Sequence, residues 1–308
     1  MKIFPLIFSA LIALLILSAC GNTALAFSPS ATPSPTETLV PTDTPTPQST
    51  ATSTATATPL PTETITPQPT ATPVTVFQGP GSVICPILLY HRIDTPSVPN
   101  EYFTPPDDFR AQMQALKDWG YTPIPIALLV QAITEGAYLP ERPVVITFDD
   151  GDISVYNNAF PIMQAFGYVG VSYIVSNRLT VDGYMNADQL KEMIAAGWEV
   201  GSHSMNHADL TQISSDLYFQ QIDRSRADLE DALGVSVRTF AYPFGLKNEA
   251  ITEQVREAGY YAAVGLGASV EQGQYNLFYL WRRPVKYDWD VATFGSFLPW
   301  NTPPTSSP

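Results

Sequence analysis

Cysteine, histidine and basic residues are all scarce in this chain, and each scarcity removes a class of explanation. Of 308 residues only two are cysteine, Cys20 and Cys85. A multi-bridge disulfide scaffold is therefore excluded, and an ordinary apolar core must hold the fold. Cys85 opens an apolar run with no basic cluster beside it, which reads as a small buried hydrophobe rather than a reactive thiol. Lys and Arg number 15 against 29 Asp and Glu, a formal net charge of −14. That balance argues against nucleic acid or an anionic lipid surface as a partner held by charge, and suits a neutral or cationic substrate. Histidine occurs three times, at His91, His203 and His207, so any imidazole chemistry must use these positions.

What is present divides into unequal parts. Residues 1–19 read as a signal segment: Lys2, then an apolar run from Ile3 to Leu17 that is short for a membrane span, then small residues before Cys20. Leu17-Ser18-Ala19-Cys20 resembles the lipobox of bacterial lipoproteins, which implies cleavage before Cys20 and acylation of its sulfur. An ordinary signal peptide with an incidental cysteine is the alternative. Residues 20–82 are dominated by Thr, Pro, Ala and Ser with repeated Thr-Pro, too poor in bulky apolar residues to fold. Such a spacer extends by about 3 Å per residue and spans well over ~100 Å. Its expected job is to carry a domain away from a membrane. The globular domain is expected at 83–300, with 301–308 a flexible tail.

Within the domain, apolar strand-like runs alternate with helical spacing. Strands are expected at Pro86–Tyr90, Pro143–Asp149, Val169–Val175, Trp198–Gly201, Thr239–Tyr242, Tyr260–Val264 and Phe278–Arg282. Helices are expected at Asp107–Trp119, Ile126–Thr134, Ile153–Phe166, Ala187–Ala196, Ser214–Leu233, Asn248–Ala258 and around Val291–Leu298. Alternation with helix-length connections predicts an α/β fold of parallel strands with outer helices. About seven such units suit a (β/α) barrel better than an open sheet.

The run Val144-Val145-Ile146-Thr147-Phe148 stops at Asp149-Asp150-Gly151. In parallel α/β folds ligands sit at the carboxyl ends of strands, so the two carboxylates stand where chemistry occurs, although Asp-Asp-Gly also makes a simple turn. His203-Ser204-Met205-Asn206-His207 follows another strand end, and on a helical turn its spacing would put both imidazoles on one face. Two histidines and an aspartate are a common ligand set for Zn²⁺ or a related divalent ion.

These segments resemble a known family. Thr147-Phe148-Asp149-Asp150-Gly151 and His203-Ser204-Met205-Asn206-His207 are similar to the first two motifs of the NodB-homology polysaccharide deacetylases, carbohydrate esterase family 4. Phe240-Ala241-Tyr242-Pro243-Phe244-Gly245 resembles the third. The resemblance covers roughly Pro86 to Leu298 and implies a distorted (β/α)7-type barrel that removes acetyl groups from carbohydrate polymers with a divalent metal. Zn²⁺ is the first expectation, with Co²⁺, Ni²⁺ and Fe²⁺ as alternatives. Carried over, it implies Asp150, His203 and His207 as metal ligands and Asp149 as general base. It also implies the Tyr242-Pro243-Phe244 turn as the oxyanion and substrate contact through the amide of Phe244.

Two departures matter. Many members carry a late Leu-x-His acid, and no histidine follows His207 here. His91, in Leu88-Leu89-Tyr90-His91-Arg92, resembles the early Tyr-His of the biofilm poly-N-acetylglucosamine subgroup, which implies His91 as the acid; a structural histidine is the alternative. The third-motif arginine that pairs with the base is replaced by Ala241. Arg282, in Leu280-Trp281-Arg282-Arg283, matches a late arginine of that subgroup and is the candidate for this charge, unless the frame is shifted onto Arg283. Tyr242, Trp281 and Trp289 are candidates for stacking on sugar rings. The expected activity is deacetylation of an N-acetylated glycan (poly-N-acetylglucosamine, peptidoglycan or a chitin-like polymer) by a surface lipoprotein. The alternatives are O-deacetylation of xylan-type glycans and a carbohydrate-binding relic without activity.

Overall fold

The computed structural model describes residues 74–305. The signal segment, Cys20 and all but the end of the expected linker lie outside the described residues. The order of elements is β1 (Thr75–Gln78), β2 (Ser82–Ile84), β3 (Ile87–Tyr90), α1 (Pro106–Asp118), β4 (Thr122–Pro123), α2 (Ile126–Thr134), β5 (Ala137–Pro140), β6 (Pro143–Phe148), α3 (Phe160–Phe166), β7 (Val171–Ile174), α4 (Ala187–Ala195), β8 (Glu199–Ser202), α5 (Ser225–Leu233), β9 (Thr239–Ala241), α6 (Glu249–Glu257), β10 (Ala262–Val264), β11 (Glu271–Gly273), β12 (Arg283–Pro284) and α7 (Val291–Ser296).

The main sheet runs β10-β9-β8-β7-β6-β3-β12, with β4 beside the first residues of β6. Every pairing within it is parallel. A further parallel bridge joins Val264 to Leu280, while Arg283 and Pro284 pair with Leu88 and Leu89 of β3. Residues 280–284 thus touch both ends of the sheet and curl it into a half-barrel surrounded by helices, the barrel-type α/β fold expected.

Strand β6 lies at the middle of the sheet and is buried along its whole length, which its β-branched run suits. Its side chains alternate. Val144, Ile146 and Phe148 join the core under the helices, and Val145 joins a second core with Tyr173, Val264 and Leu280. The same period of two puts Thr147 and Asp149 on the Val145 side, inside the barrel.

Three expectations need correction. Thr75–Gln78 and Ser82 fall in the stretch read as linker, yet β1 pairs antiparallel with β5, and β2 with β11. The Val74-Thr75-Val76-Phe77 run carries strand propensity that the surrounding Thr/Pro composition masks. The last strand was expected at Phe278–Arg282, whereas β12 begins at Arg283. Here a side chain replaces the ladder: the buried amide of Gln272 accepts from Trp281 N–H and donates to Trp281 O. The single helix expected at Ser214–Leu233 opens with a 3₁₀ turn, Ser215–Leu217, and contains a π-turn, Gln220–Arg224.

Candidate active site and metal centre

The site is assembled at the carboxyl ends of β3, β6, β7, β8 and β9. His91 follows β3, and Asp149 follows β6; these two strands are locked by the Asp149 N–H bond to Tyr90 O, 3.0 Å. Asp150 turns away from Asp149 because its backbone adopts φ 74°. Ser204, His207 and Phe244 also have positive φ, and these four are the only non-glycine residues so placed among the described residues. Left-handed backbone costs a side-chain-bearing residue on the order of 1–3 kcal/mol and persists where surrounding contacts over-determine it.

The His203–His207 segment is a loop rather than a helical turn. The left-handed residues bring the rings together, with centroids 4.8 Å apart. His207 N–H bonds to Ser204 Oγ at 3.0 Å. Met205 N–H bonds to Gln221 O within the π-turn, and Asn177 N–H to Met205 O. A π-turn leaves carbonyls free of the regular helical ladder, which is how Gln221 can hold this loop.

Ligand atoms of Asp150, His203 and His207 all lie within 4.8 Å of one another. Asp150 Oδ1 is 3.4 Å from His207 Nε2 and 4.0 Å from His203 Nε2. The edge of a tetrahedron with Zn-type bonds is about 3.3 Å, so the spacing fits a small divalent cation. His203 Nδ1 lies 2.8 Å from Ala241 O. A carbonyl only accepts, so Nδ1 carries the proton and Nε2 offers its lone pair to the cluster. Burial pushes the His203 pKa well down, which keeps that lone pair free at neutral pH. The donor set and its backing both suit a metal.

Asp149 is held differently. Arg282, 1% exposed, clamps it with two bonds, Nη1 to Oδ1 at 2.6 Å and Nη2 to Oδ2 at 2.7 Å. Arg282 Nε donates to Gly265 O, and Nη1 also reaches Thr147 Oγ1. Burial alone would raise the Asp149 pKa; the Arg282 guanidinium, with His203, outweighs it and holds the carboxyl at about 2. Leu280 and Arg282 are buried while Trp281 and Arg283 are half-exposed, so alternation along the closing segment selects Arg282 over Arg283. His91 is half-buried, with its ring against Tyr102 at 5.0 Å. Burial lowers its pKa, and the charges of Asp149 and Asp150 oppose that fall.

The turn after β9 is only partly as expected. Phe244 has φ 59°, is 54% exposed and sets its ring 4.6 Å from that of His207. Tyr242 and Pro243 are buried, and Tyr242 Oη donates to Phe278 O at 3.0 Å. Tyr242 therefore has no face to offer a sugar. Trp281 packs with Tyr275, and Trp289 stacks on Phe297 at 4.3 Å. One residue with no motif around it also reaches the site, backed by an aromatic ring. Arg178, in the turn after β7, donates to Asp150 Oδ1 at 3.2 Å and lies over the Tyr184 ring. The only sequence signal for it was position past a parallel strand end.

A half-barrel brings two histidines and an aspartate to one point, a donor set that suits a divalent metal, beside a clamped second aspartate. Comparison with known proteins adds the family. The family model described as polysaccharide deacetylase matches residues 137–263, a span that includes Asp149, Asp150, His203, His207 and Phe244 but neither His91 nor Arg282. The Bacillus subtilis (strain 168) protein YxkH, named for the same family, is 28% identical over 219 residues, 69% of this chain and 75% of that one. The Staphylococcus aureus poly-beta-1,6-N-acetyl-D-glucosamine N-deacetylase is 29% identical over 134 residues, 39% of this chain and 46% of its own length. The structure of Streptococcus pyogenes deacetylase PplD in complex with acetate superposes with a TM-score of 0.65 at 25% identity, covering 74% of this chain and 99% of that one. Residues 137–263 thus match the polysaccharide deacetylase family of the NodB-homology type, which makes the chain a hydrolase of that class.

Proposed function

We propose that this protein is a metal-dependent deacetylase of an N-acetylated glycan, with Asp150, His203 and His207 as metal ligands. The observation that carries the reading is that Asp150 offers one oxygen to both imidazoles, whereas Asp149, with His203 Nε2 3.7 Å from its Oδ2, is held by both terminal nitrogens of buried Arg282. A divalent cation held by Asp150, His203 and His207 would supply Lewis acidity at the acetyl carbonyl and lower the pKa of water, and Asp149 is the carboxylate placed to take the water proton.

Asp149 acts as general base. The Arg282 clamp keeps it ionised and fixes its oxygens, which leaves the remaining lone pairs to face the attacking water. The Phe244 amide, in its left-handed turn, supplies a donor for the oxyanion that forms on the acetyl carbon. His91 serves as general acid and protonates the leaving sugar nitrogen. Burial lowers its pKa, and the charges of Asp149 and Asp150 oppose that fall and favour the protonated form that can give up a proton.

The N-acetyl preference rests on the early Tyr90-His91 and on likeness to the staphylococcal poly-N-acetylglucosamine deacetylase. An O-acetyl ester passes through the same tetrahedral state, so substrate comparison is the test: acetate release from poly-N-acetylglucosamine, chitooligomers, peptidoglycan and acetylated xylan with Zn²⁺, Co²⁺ or Ni²⁺ added. Release from xylan alone would overturn the N-acetyl assignment. We also propose that Cys20 is lipidated and anchors the chain to the outer face of a membrane through the Thr/Pro-rich spacer. Release of the Cys20→Ala chain from membranes, with the parent chain retained, is the expected result.

A further inference from the structure

We infer that Arg178 is a resident counter-cation of the metal site, bonded to the metal-facing oxygen of Asp150 and weakening metal affinity by competing for it. This rests on Asp150, His203 and His207 being the metal ligands. The geometry turns on which oxygen is used. A partner bonded to the metal-facing oxygen of a ligand carboxylate draws on the same electron density that a metal would use, whereas one bonded to the outer oxygen does not. Arg178 Nη1 instead donates, at 3.2 Å, to Asp150 Oδ1, the oxygen that lies 3.4 Å from His207 Nε2 and 4.0 Å from His203 Nε2.

Charge points the same way. Arg282 already satisfies Asp149 with both of its terminal nitrogens. Asp149 and Asp150 bring two negative charges, and Arg282 and Arg178 bring two positive ones, so the carboxylates and guanidiniums of the cluster cancel. A divalent cation entering beside Arg178 meets a site with no net charge to attract it, and like-charge repulsion at this range is strong in a partly buried setting. Without Arg178 the cluster carries a net negative charge.

The chain also provides a resting place for a displaced guanidinium. Arg178 lies over Tyr184, 4.6 Å from the ring centroid. Tyr184 is tied to the Asp-Asp-Gly loop by its bridge to Asp152, and by Met185 N–H bonding to Gly151 O and Ile153 N–H to Gly183 O. The ring keeps the guanidinium next to the site whether or not it touches Asp150.

The test is Zn²⁺ affinity of the full chain after chelation, by competition with a chelating dye, for the parent, Arg178→Gln, Arg178→Lys and Tyr184→Leu. Arg178→Gln should bind Zn²⁺ about tenfold more tightly or better, which at one RT-scaled decade is well within measurement. Arg178→Lys, which keeps the charge, should stay near the parent, and Tyr184→Leu, which only loosens Arg178, should fall between. In chelator, Arg178→Gln should unfold at a lower temperature than the parent, because Asp150 has lost its counter-charge, and Zn²⁺ should raise that temperature more. Unchanged affinity, or a loss of the roughly 10- to 100-fold seen when an orienting partner is removed, would overturn the inference while leaving the metal centre intact. Equal tightening by Arg178→Lys would overturn it as well. No Zn²⁺ bound by any of the four would overturn the ligand assignment itself, and this inference with it.

Discussion

At the scale of single residues, the Asp149–Arg282 clamp decides most. Both partners are buried, and removing one leaves the other charged and unpaired, which typically costs about 3–5 kcal/mol. Arg282→Met is therefore expected to lose stability on that order in urea unfolding of the metal-free chain at neutral pH. Asp149→Asn with Arg282→Met should lose less than the two single changes added together. The sign of the pH dependence follows from the depressed Asp149 value. Its contribution is full above the ordinary 3.8 and is lost as pH falls through about 2. For His91, burial lowers the pKa and Asp149 is the largest charge raising it. Asp149→Asn should therefore push the His91 titration, followed by imidazole NMR, further below its usual range; a rise would contradict their proximity. Asp149→Asn is also expected to keep the metal while losing turnover, and His91→Ala to slow turnover while keeping the metal.

At the scale of elements, β8 shows how tightly the sheet positions the site. A Cβ at Gly201 would run into the Tyr173 ring and Thr239 Oγ1, and Gly201 lies two residues before His203. Gly201→Ala should cost about 1–3 kcal/mol through overpacking and weaken Zn²⁺ binding, both read in one metal titration with thermal unfolding. Deleting the chain up to Val83 removes β1 and cuts β2, so this truncation should melt at lower temperature than one beginning at Val74. These elements also mark what was legible in the sequence. Strand β6 and helix α2 could be read almost to the residue, because a continuous β-branched run and a clean apolar stripe each have one stable placement. Strand β1 was hidden by its Thr/Pro-rich surroundings. The convergence of His203 and His207 was legible from their spacing only on the supposition of a helical turn, since nothing in residue spacing reports the left-handed backbone at Ser204 and His207. Arg282 was legible as a candidate only; the closing of the sheet on residues 280–284, a long-range event, is what turns it onto Asp149. Arg178 carried no signal beyond its position past a strand end, because its role comes from the fold bringing the turn after β7 against the loop after β6.

At the scale of the whole molecule, a half-barrel places five strand ends around one point, and the chain fills that point with groups whose charges are matched pair by pair. The central claim is that this arrangement performs metal-dependent N-deacetylation with Asp149 as the base. The most direct measurement is acetate release from poly-N-acetylglucosamine by the metal-free chain, by the chain with Zn²⁺ or Co²⁺ restored, and by Asp149→Asn with the same metal bound. Release that appears only on adding metal, and that is absent in Asp149→Asn although the metal binds, is the predicted result. Equal release with and without metal, or undiminished release by Asp149→Asn, would contradict it.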